Sequence, residues 1–159
     1  MTHQAHNQIV SFIWRIADDC LRDVYVRGKY RDVILPMVVL RRLDSLLEPT
    51  KEKILEEVNF QRHEMKSLEL DDAPLRDASG YVFYNTSKWT LRQIHHTATN
   101  NRQLLLANIE EYLCGFSANV QEIIKCFKLL TQMRHMADKE VLLDVIEKFI
   151  SPHINLAPH

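Results

Sequence analysis

The sequence predicts an all-α protein, a compact bundle of six or seven helices with one long irregular segment near residues 68–90. Three observations lead to this prediction. Apolar residues recur at three- and four-residue steps along most of the chain, which is the period of an amphipathic helix. Only three glycines occur, and this disfavours a turn-rich β architecture. The 159 residues fit one domain that is long enough to bury a substantial core.

The first two helices are predicted over residues 7–24 and 30–48. The first carries an apolar stripe opposite charged residues, so it should bury one face. The second contains residues 33–40, among which Pro36 is the only one that is neither aliphatic nor methionine. A helix that is apolar on almost every side belongs inside a bundle. Because proline lacks a backbone donor, we expect a kink or a restart of the helix near residues 33–36.

The sequence also predicts how the chain turns between these two helices and which side of the second helix faces water. Gly28 suits a position just beyond a helix terminus, because glycine adopts positive φ without strain. One side of the second helix carries residues 31, 35, 38, 42 and 45. Since Arg31, Arg42 and Ser45 are polar, this is the side that we expect to face water.

Further helices and one extended segment follow along the chain. A charged helix is predicted over residues 51–66, whereas residues 68–80 have the composition of a loop. Residues 81–84 are too few to make a sheet and should form an extended segment packed on the bundle. Thr90 opens a capping box, so a helix should start at the next residue.

The last helices are separated by polar residues and a glycine. Asn100 and Asn101 interrupt the pattern, and the helix after them should stop at Gly115. Ser117 and Asp138 are predicted to cap the last two helices. The tail over residues 151–159 contains two prolines and has no periodicity, so we expect a helical domain over residues 1–150 followed by a linker.

Composition excludes several classes of protein. The formal net charge is −1, so a nucleic-acid partner would have to be met by a local basic patch. The three cysteines are odd in number and lack CxxC spacing, which indicates neither a disulfide framework nor a zinc site and fits a reducing, cytoplasmic setting. No signal peptide and no apolar run of about 18 residues are found, so no membrane span is expected.

No catalytic constellation is found in the sequence. The widely separated glycines exclude a glycine-rich cofactor loop and a GxSxG elbow. The adjacent His95 and His96 cannot both face one side of a helix, and no HExxH pattern occurs. Paired acids on polar helix faces are usually solvated charges. We therefore predict no catalytic, cofactor-binding or metal-binding residue.

Two stretches are rich in basic residues. The first is accompanied by a single acid, Asp32, and contains Arg27, Lys29, Arg31, Arg41 and Arg42. The second, over residues 78–109, has no acid and contains Lys88, Arg92 and Arg102. Such residues either pair with acids of other helices or contact phosphates, and both alternatives remain open. The candidate phosphate contacts are Lys29, Arg31, Arg41, Arg42, Lys88 and Arg92. Trp89 could stack on a base, although filling a groove between helices is the commoner role.

A series of short motifs runs along nearly the whole chain. It comprises residues 12–22 (FIWRIADDCLR), 28–44 (GKYRDVILPMVVLRRLD), 83–87 (FYNTS), 115–117 (GFS) with 119–124 (NVQEII), and 146–149 (IEKF) leading to 154–156 (INL). Together these motifs resemble the N-terminal helical domain of the modification (M) subunit of type I restriction-modification systems. The first two are the most specific when they occur together.

This resemblance implies an N6-adenine DNA methyltransferase that uses S-adenosylmethionine. It also implies an assembly on double-stranded DNA with a second M subunit, a DNA-specificity subunit and restriction subunits. The family's donor-binding Phe-x-Gly-x-Gly and catalytic Asn-Pro-Pro-Tyr/Phe are absent here, so no catalytic or donor-binding residue is transferred to this chain. We expect residues 151–159 to lead to a catalytic domain that the chain lacks, and the chain alone to be inactive and to bind no cofactor.

Two hypotheses of function remain. The first is a non-catalytic domain that clamps DNA and contacts the other subunits of a DNA adenine methyltransferase. The second is a free-standing helical adaptor that binds only protein and uses its basic residues for internal ion pairs.

Overall fold

The computed structural model describes residues 3–22, 25, 27–64, 66, 69–97 and 102–150, with side chains for all of these except residues 3–6, 8, 9, 27 and 102. The predicted all-α bundle is confirmed. Its α-helices are α1 (His3–Leu21), α2 (Tyr30–Leu47), α3 (Lys51–Asn59), α4 (Asp72–Ser79), α5 (Leu91–Thr97), α6 (Arg102–Cys114), α7 (Ala118–Phe127), α8 (Leu129–Asp138) and α9 (Leu142–Phe149). Within the described residues, no helix has the length and apolar character needed to cross a bilayer.

Helix α2 lies at the centre of the bundle and packs against α1, α7, α8 and α9. As predicted, most of its apolar segment is buried, with Met37 fully inaccessible to solvent, although Leu35 is exposed. The predicted restart at Pro36 does not occur, and the helix continues through the proline. Buried neighbours on both sides hold this part of the helix in place, since tertiary packing supplies most helical stability.

The outer side of α2 is only partly as predicted. Arg31, Leu35 and Arg42 are exposed, but Ser45 is buried. The reason is that the carboxyl-terminal part of α2 is covered by the start of α5, whose Leu91 N–H donates to Asp44.

Two expectations about glycine and proline are corrected. Gly28 does not adopt positive φ, because it lies in a 3₁₀ turn (Arg27–Lys29). Residues 68–80, predicted as a loop, contain α4. Pro74 is tolerated there because it is the third residue of the helix, where the backbone N–H has no intrahelical partner. Gly80 ends α4 with φ of +80°, and among the described residues the irregular segment is thereby reduced to residues 69–71 and 80–90.

Some of the remaining predicted helix starts are confirmed by the structure, and others are corrected. Helix α5 starts at Leu91, and Thr90 Oγ1 accepts from Gln93 N–H at 3.2 Å, as the capping box predicts. Ser117 is at the N-cap of α7, although its hydroxyl donates to Asn119 rather than capping the backbone.

Asp138 does not cap the last helix. It ends α8, a helix that was not predicted separately, because the buried Met133 and Met136 extend the helical pattern to that point. Lys128, in the left-handed conformation with φ of 52°, separates α7 from α8. The predicted interruption at residues 100–101 and the tail over residues 151–159 lie outside the described residues.

The helices enclose two hydrophobic cores. The main core is built by α1, α2 and α5–α9. The small core consists of the buried side chains of Ile54, Val58, Leu75 and Tyr84, which α3, α4 and the extended segment after α4 contribute. That segment is packed on the bundle as predicted, since Tyr84 O accepts from Ser117 N–H at 2.9 Å. Residues 80–90 therefore join the two cores.

Candidate functional site

Three of the predicted phosphate contacts lie along α2 or at its N-cap, and we call this set the basic edge: Lys29, Arg31 and Arg42. All three are exposed. None forms an ion pair with a carboxylate of the described residues. Arg31 and Arg42 are eleven residues apart on α2, so they share a side and are separated by about 16 Å along the helix. The side chain of Arg27 lies outside the described part of the chain.

The start of α2 concentrates positive charge at this edge. Lys29 is at the N-cap and Arg31 is in the first turn, where Asp32 is the acid present. The backbone N–H groups of a helix N-terminus already carry partial positive charge. Basic side chains at this end therefore oppose the helix dipole, and the local potential favours an anion.

Arg41 is placed differently from its neighbour Arg42. It is only 6% exposed, and its Nη1 lies 3.3 Å from Asp44 Oδ2. Successive residues of a helix point about 100° apart, so one arginine of the pair can face the interior while the other faces solvent. A buried charge needs a partner, and Asp44 supplies it. Arg41 is therefore not part of the basic edge.

The second basic stretch is also divided. Arg92 Nη2 lies 3.8 Å from Glu48 Oε1, in agreement with the internal-pair alternative for this residue. Lys88 is exposed, with its Nζ 4.9 Å from the centre of the Trp89 ring. Trp89 is buried in the main core, so it fills a groove between helices and is not available to a base. The side chain of Arg102 is outside the described residues.

A buried polar network, which we call the polar junction, is centred on Asp44. Its Oδ1 accepts from Leu91 N–H at 3.1 Å and from the Tyr112 hydroxyl at 3.0 Å, while Oδ2 accepts from Arg41. Burial raises the pKa of Asp44, and these three bonds oppose the rise. Burial and the adjacent Asp44 raise the pKa of Tyr112 well above its usual value, so its hydroxyl remains a donor. Asp44 thereby connects α2, α5 and α6.

The polar junction extends to two of the sequence motifs, which meet in the structure. Asn85 Nδ2 donates to Tyr112 O at 2.7 Å, and Thr86 N–H donates to Gly115 O at 2.8 Å. A Cβ atom at position 115 would lie 2.7 Å from Ser87 N and 2.8 Å from Asn85 Oδ1. Gly115 is therefore required for the close approach of the two segments, which is more than the helix stop that the sequence predicts.

Lys51 completes the polar junction from α3. Its Nζ donates to Asn85 Oδ1 at 3.1 Å and lies 3.4 Å from Asn85 O. Burial lowers the pKa of Lys51 to about 8, although the negative charge of Asp44 opposes this shift. Sequence reasoning missed Lys51, Asn85 and Tyr112. A lysine at the start of a charged helix gives no local signal that it is buried against a residue 34 positions away.

An open groove of about 700 Å³, which we call the α3–α6 groove, lies beside the polar junction. Its walls are α3 with the following π-helical turn (Phe60–Glu64), the segment at residues 86–88 and the end of α6. The charged and titratable side chains along it are Glu56, Arg62, His63, Lys88, Glu111 and Cys114. Among the described residues, no group of three or more His, Cys, Asp or Glu side chains is arranged to bind a metal ion.

Comparison with known proteins gives a family for the chain. The family model described as HsdM N-terminal domain matches residues 9–149, which is most of the chain. No curated protein and no solved structure matches it significantly. The family match covers the central helix, the polar junction and both walls of the groove. The chain belongs to the HsdM N-terminal domain family, the amino-terminal domain of the M subunit of type I restriction-modification systems.

Proposed function

We propose that the chain clamps double-stranded DNA and contacts the other subunits of a type I restriction-modification methyltransferase, the full-length form of which methylates adenine at N6. The observation that supports DNA contact is the basic edge, where three exposed cations have no carboxylate partner among the described residues. Such side chains bind phosphates without reading bases. This accords with the family resemblance, in which a separate subunit reads the DNA sequence.

The packing of α2 supports a role in holding the cations of the basic edge in place for contact with DNA. Arg31 and Arg42 project from a helix whose opposite sides are buried in the main core. Because they are separated by about 16 Å along the helix, the two side chains would contact different phosphates. The polar junction anchors the carboxyl-terminal end of the same helix to α5 and α6. A rigid helix with widely spaced cations is suited to hold a duplex rather than to catalyse a reaction on it.

Methyl transfer is assigned to the full-length protein and not to this chain. The described residues do not fit an S-adenosylmethionine site, because the glycines do not form a loop that backbone and cofactor could share. Gly115 faces Asn85 and Ser87, and Gly80 is a helix cap. We therefore place the cofactor in a catalytic domain outside this chain, and the assembly with specificity, restriction and second M subunits in the cytoplasm. An assay of methyl transfer by the isolated chain should give none, and robust activity would overturn this assignment.

The salt dependence of DNA binding tests the clamping role. The double variant Arg31→Glu with Arg42→Glu should bind duplex DNA at least tenfold more weakly at low salt. The slope of log K against log salt should fall by about two, because two phosphate contacts are lost. The matched control is Lys53→Glu with Lys125→Glu, two exposed lysines on α3 and α7, which should leave the slope unchanged. Equal slopes in wild type and the basic-edge variant would move the DNA contact elsewhere.

The adaptor hypothesis is retained because several large apolar side chains are exposed on helices, among them Trp14 and Leu35. Trp14 of α1 is 50% exposed, and Leu35, which lies between the two arginines of the basic edge, is 49% exposed. Exposed aromatic residues are enriched at the centres of protein interfaces. Absence of any salt-dependent DNA binding by the wild-type chain would favour an adaptor that binds only protein.

A further inference from the structure

Buried polar atoms without a protein partner are concentrated at the polar junction. Such atoms are rare in folded proteins, because burying a donor or an acceptor without a hydrogen bond is costly. Four of the side chains concerned are more than nine-tenths buried. Within the described part of the chain, the atoms that have no hydrogen-bond partner are Arg41 Nε, Ser45 Oγ, Glu48 Oε2, Trp89 Nε1 and Asn108 Nδ2.

Three of these atoms come from one side of α2. Arg41, Ser45 and Glu48 follow one another at steps of four and three residues. They therefore share one side of the helix with Asp44. Burial is the main cause of the raised pKa of Asp44, and the charge of Glu48 adds to the rise, which places the two carboxylates close together. Glu48 Oε1 lies 3.8 Å from Arg92 Nη2, whereas Oε2 faces the interior.

The other two atoms belong to the segments that cover this side of α2. Trp89 lies two residues before Leu91, whose backbone N–H donates to Asp44. Asn108 lies one turn before Tyr112 on α6, and the Tyr112 hydroxyl donates to the same carboxylate. The five atoms therefore belong to residues that are grouped around Asp44.

The chemistry of the five atoms indicates which occupant fits them. Three are N–H donors, the carboxylate oxygen is an acceptor, and the serine hydroxyl is both. An anion would be repelled by the carboxylates of Asp44 and Glu48. A cation would be repelled by the Arg41 guanidinium and would find no lone pair on the three N–H groups. Water is neutral, donates and accepts, and is the usual ligand of buried polar groups that lack a protein partner.

We infer that the polar junction is a binding site for internal water, which bridges α2 to the residues that cover it. A buried water molecule makes about three hydrogen bonds, so at least two molecules are needed for the five atoms. The site lies in the interior and does not depend on the proposed contact with DNA. Water held there adds to the bonds of Asp44 in attaching α2 to α5 and α6.

The two tryptophans of the chain provide a direct test. Trp89 Nε1 is one of the five atoms, whereas Trp14 is 50% exposed on α1. Overhauser effects between water and both indole N–H protons are measured by NMR in the laboratory frame and in the rotating frame, which separates dipolar contact from proton exchange. For Trp89 we expect effects of opposite sign in the two frames, as a long-lived bound water gives. For Trp14 we expect a laboratory-frame effect near zero, as short-lived surface water gives.

The remaining outcomes of this experiment contradict the inference. If the Trp89 indole shows no dipolar contact with water, the junction is dry. If both indoles show the same short-lived contact, the water at Trp89 is ordinary surface water. Either result overturns the inference and leaves the proposed function unchanged.

The substitution Ser45→Ala gives an independent measurement. If the hydroxyl binds internal water, its loss should lower the thermal midpoint of unfolding by about 2 °C. If the hydroxyl has no partner, the midpoint should rise, because alanine is the better helix former. The matched control is Ser11→Ala, an exposed serine of α1, which has the gain in helix propensity without the buried hydroxyl. A midpoint of Ser45→Ala that is unchanged or higher than that of wild type would overturn the inference.

Discussion

The two hydrophobic cores of this domain differ in how they are held together. The main core is shared by α1, α2 and α5–α9, and every one of its helices has several neighbours. The small core has four buried side chains from α3, α4 and the segment that follows α4. So small an apolar cluster cannot stabilise a unit by itself. The comparison shows that α3 and α4 depend on their attachment to the main core, and the polar junction is that attachment.

The attachment is made largely of hydrogen bonds. Lys51 at the start of α3 donates to Asn85, and Asn85 Nδ2 donates to Tyr112 O of α6. Polar contacts of this kind contribute about 1 kcal/mol each, less than a buried apolar side chain. We therefore expect α3 and α4 to open locally before the main core unfolds. The α3–α6 groove lies on the boundary, so such opening would change its width.

The largest loss of stability is expected from the substitution Asp44→Ala. The change removes the acceptor for Leu91 N–H, the Tyr112 hydroxyl and the Arg41 guanidinium, and leaves Arg41 buried without a counter-charge. The free energy of unfolding should fall by about 4 kcal/mol. Urea denaturation measures it.

Glu110→Ala is the control for this change, since it removes an exposed ion pair with Arg134 and should cost less than about 1 kcal/mol. If the two variants lose similar stability, the polar junction does not hold α2, α5 and α6 together. A related consequence concerns DNA-binding assays. Arg41→Glu would place two carboxylates together in the interior and would report on folding rather than on phosphate contact.

The next largest loss of stability is expected from a variant in the small core, and it tests whether the two cores unfold independently. Leu75 is fully buried at the centre of the small core, and Leu75→Ala should cost about 3 kcal/mol. Because the small core is a local unit, hydrogen exchange should accelerate in α3 and α4 and stay slow in α2 and α9. Met37→Ala, at a fully buried position of the main core, should accelerate exchange throughout. Equal patterns for the two variants would show that the domain has a single cooperative core.

The attachment itself is tested at position 115. Gly115→Ala places a methyl group 2.7 Å from Ser87 N, so residues 85–87 must move away from the end of α6. The expected loss is about 2 kcal/mol, in the range of overpacked sites. Gly28→Ala is the matched control, because nothing lies within 4 Å of the added methyl group and its φ is not positive. A neutral Gly115→Ala would mean that the two motifs are not tightly packed.

A smaller effect is expected from the titration of Lys51. Its pKa is about 8 in the folded protein, below its ordinary value of about 10.5, because burial disfavours the charged form. Between these two pH values the unfolded chain binds a proton that the folded chain has released, so stability rises as pH increases through this window. Because the Lys51 side chain is partly exposed, the expected gain in the free energy of unfolding across this window is reduced to about 1 kcal/mol.

The variant Lys51→Met isolates this contribution, since it lacks the titrating group. Its stability relative to wild type should be constant below pH 8 and should decline between pH 8 and pH 10.5. Denaturation curves at a series of pH values give the difference directly. A difference that does not vary with pH would show that Lys51 is as solvated in the folded chain as in the unfolded one.

The smallest effect links stability to the basic edge. Arg31→Glu replaces a cation in the first turn of α2 with an anion that the helix dipole favours, so the domain should gain about 0.5 kcal/mol. The same change should weaken DNA binding. A gain in stability together with weaker DNA binding would indicate that Arg31 serves a partner. A loss of both stability and DNA binding would indicate an internal structural role.

The features of this fold that the sequence predicts depend on residues that are close together in the chain. The features that it does not predict depend on contacts between residues that are far apart. The helical start at Leu91 follows from the Thr90 cap within three positions, whereas α7 starts at Ala118 as predicted although the Ser117 hydroxyl does not cap it. Helix α4 was missed because Asp- and Pro-rich composition resembles a loop, although Pro74 is harmless in a first turn. Arg41 and Arg42 were equivalent in the sequence, and only the packing of α2 separates them.

What the sequence by itself determined is the helical class, the burial of α2 and the family resemblance, which the family match confirms. These depend on periodicity and on motifs, both of which are local. The tertiary structure decided which cations face solvent, that Gly115 admits Asn85 and Ser87, and that the α3–α6 groove exists. The bonds of Asp44 to Leu91 and Tyr112 join residues 47 and 68 positions apart. Such pairs depend on how the helices pack, which periodicity does not specify.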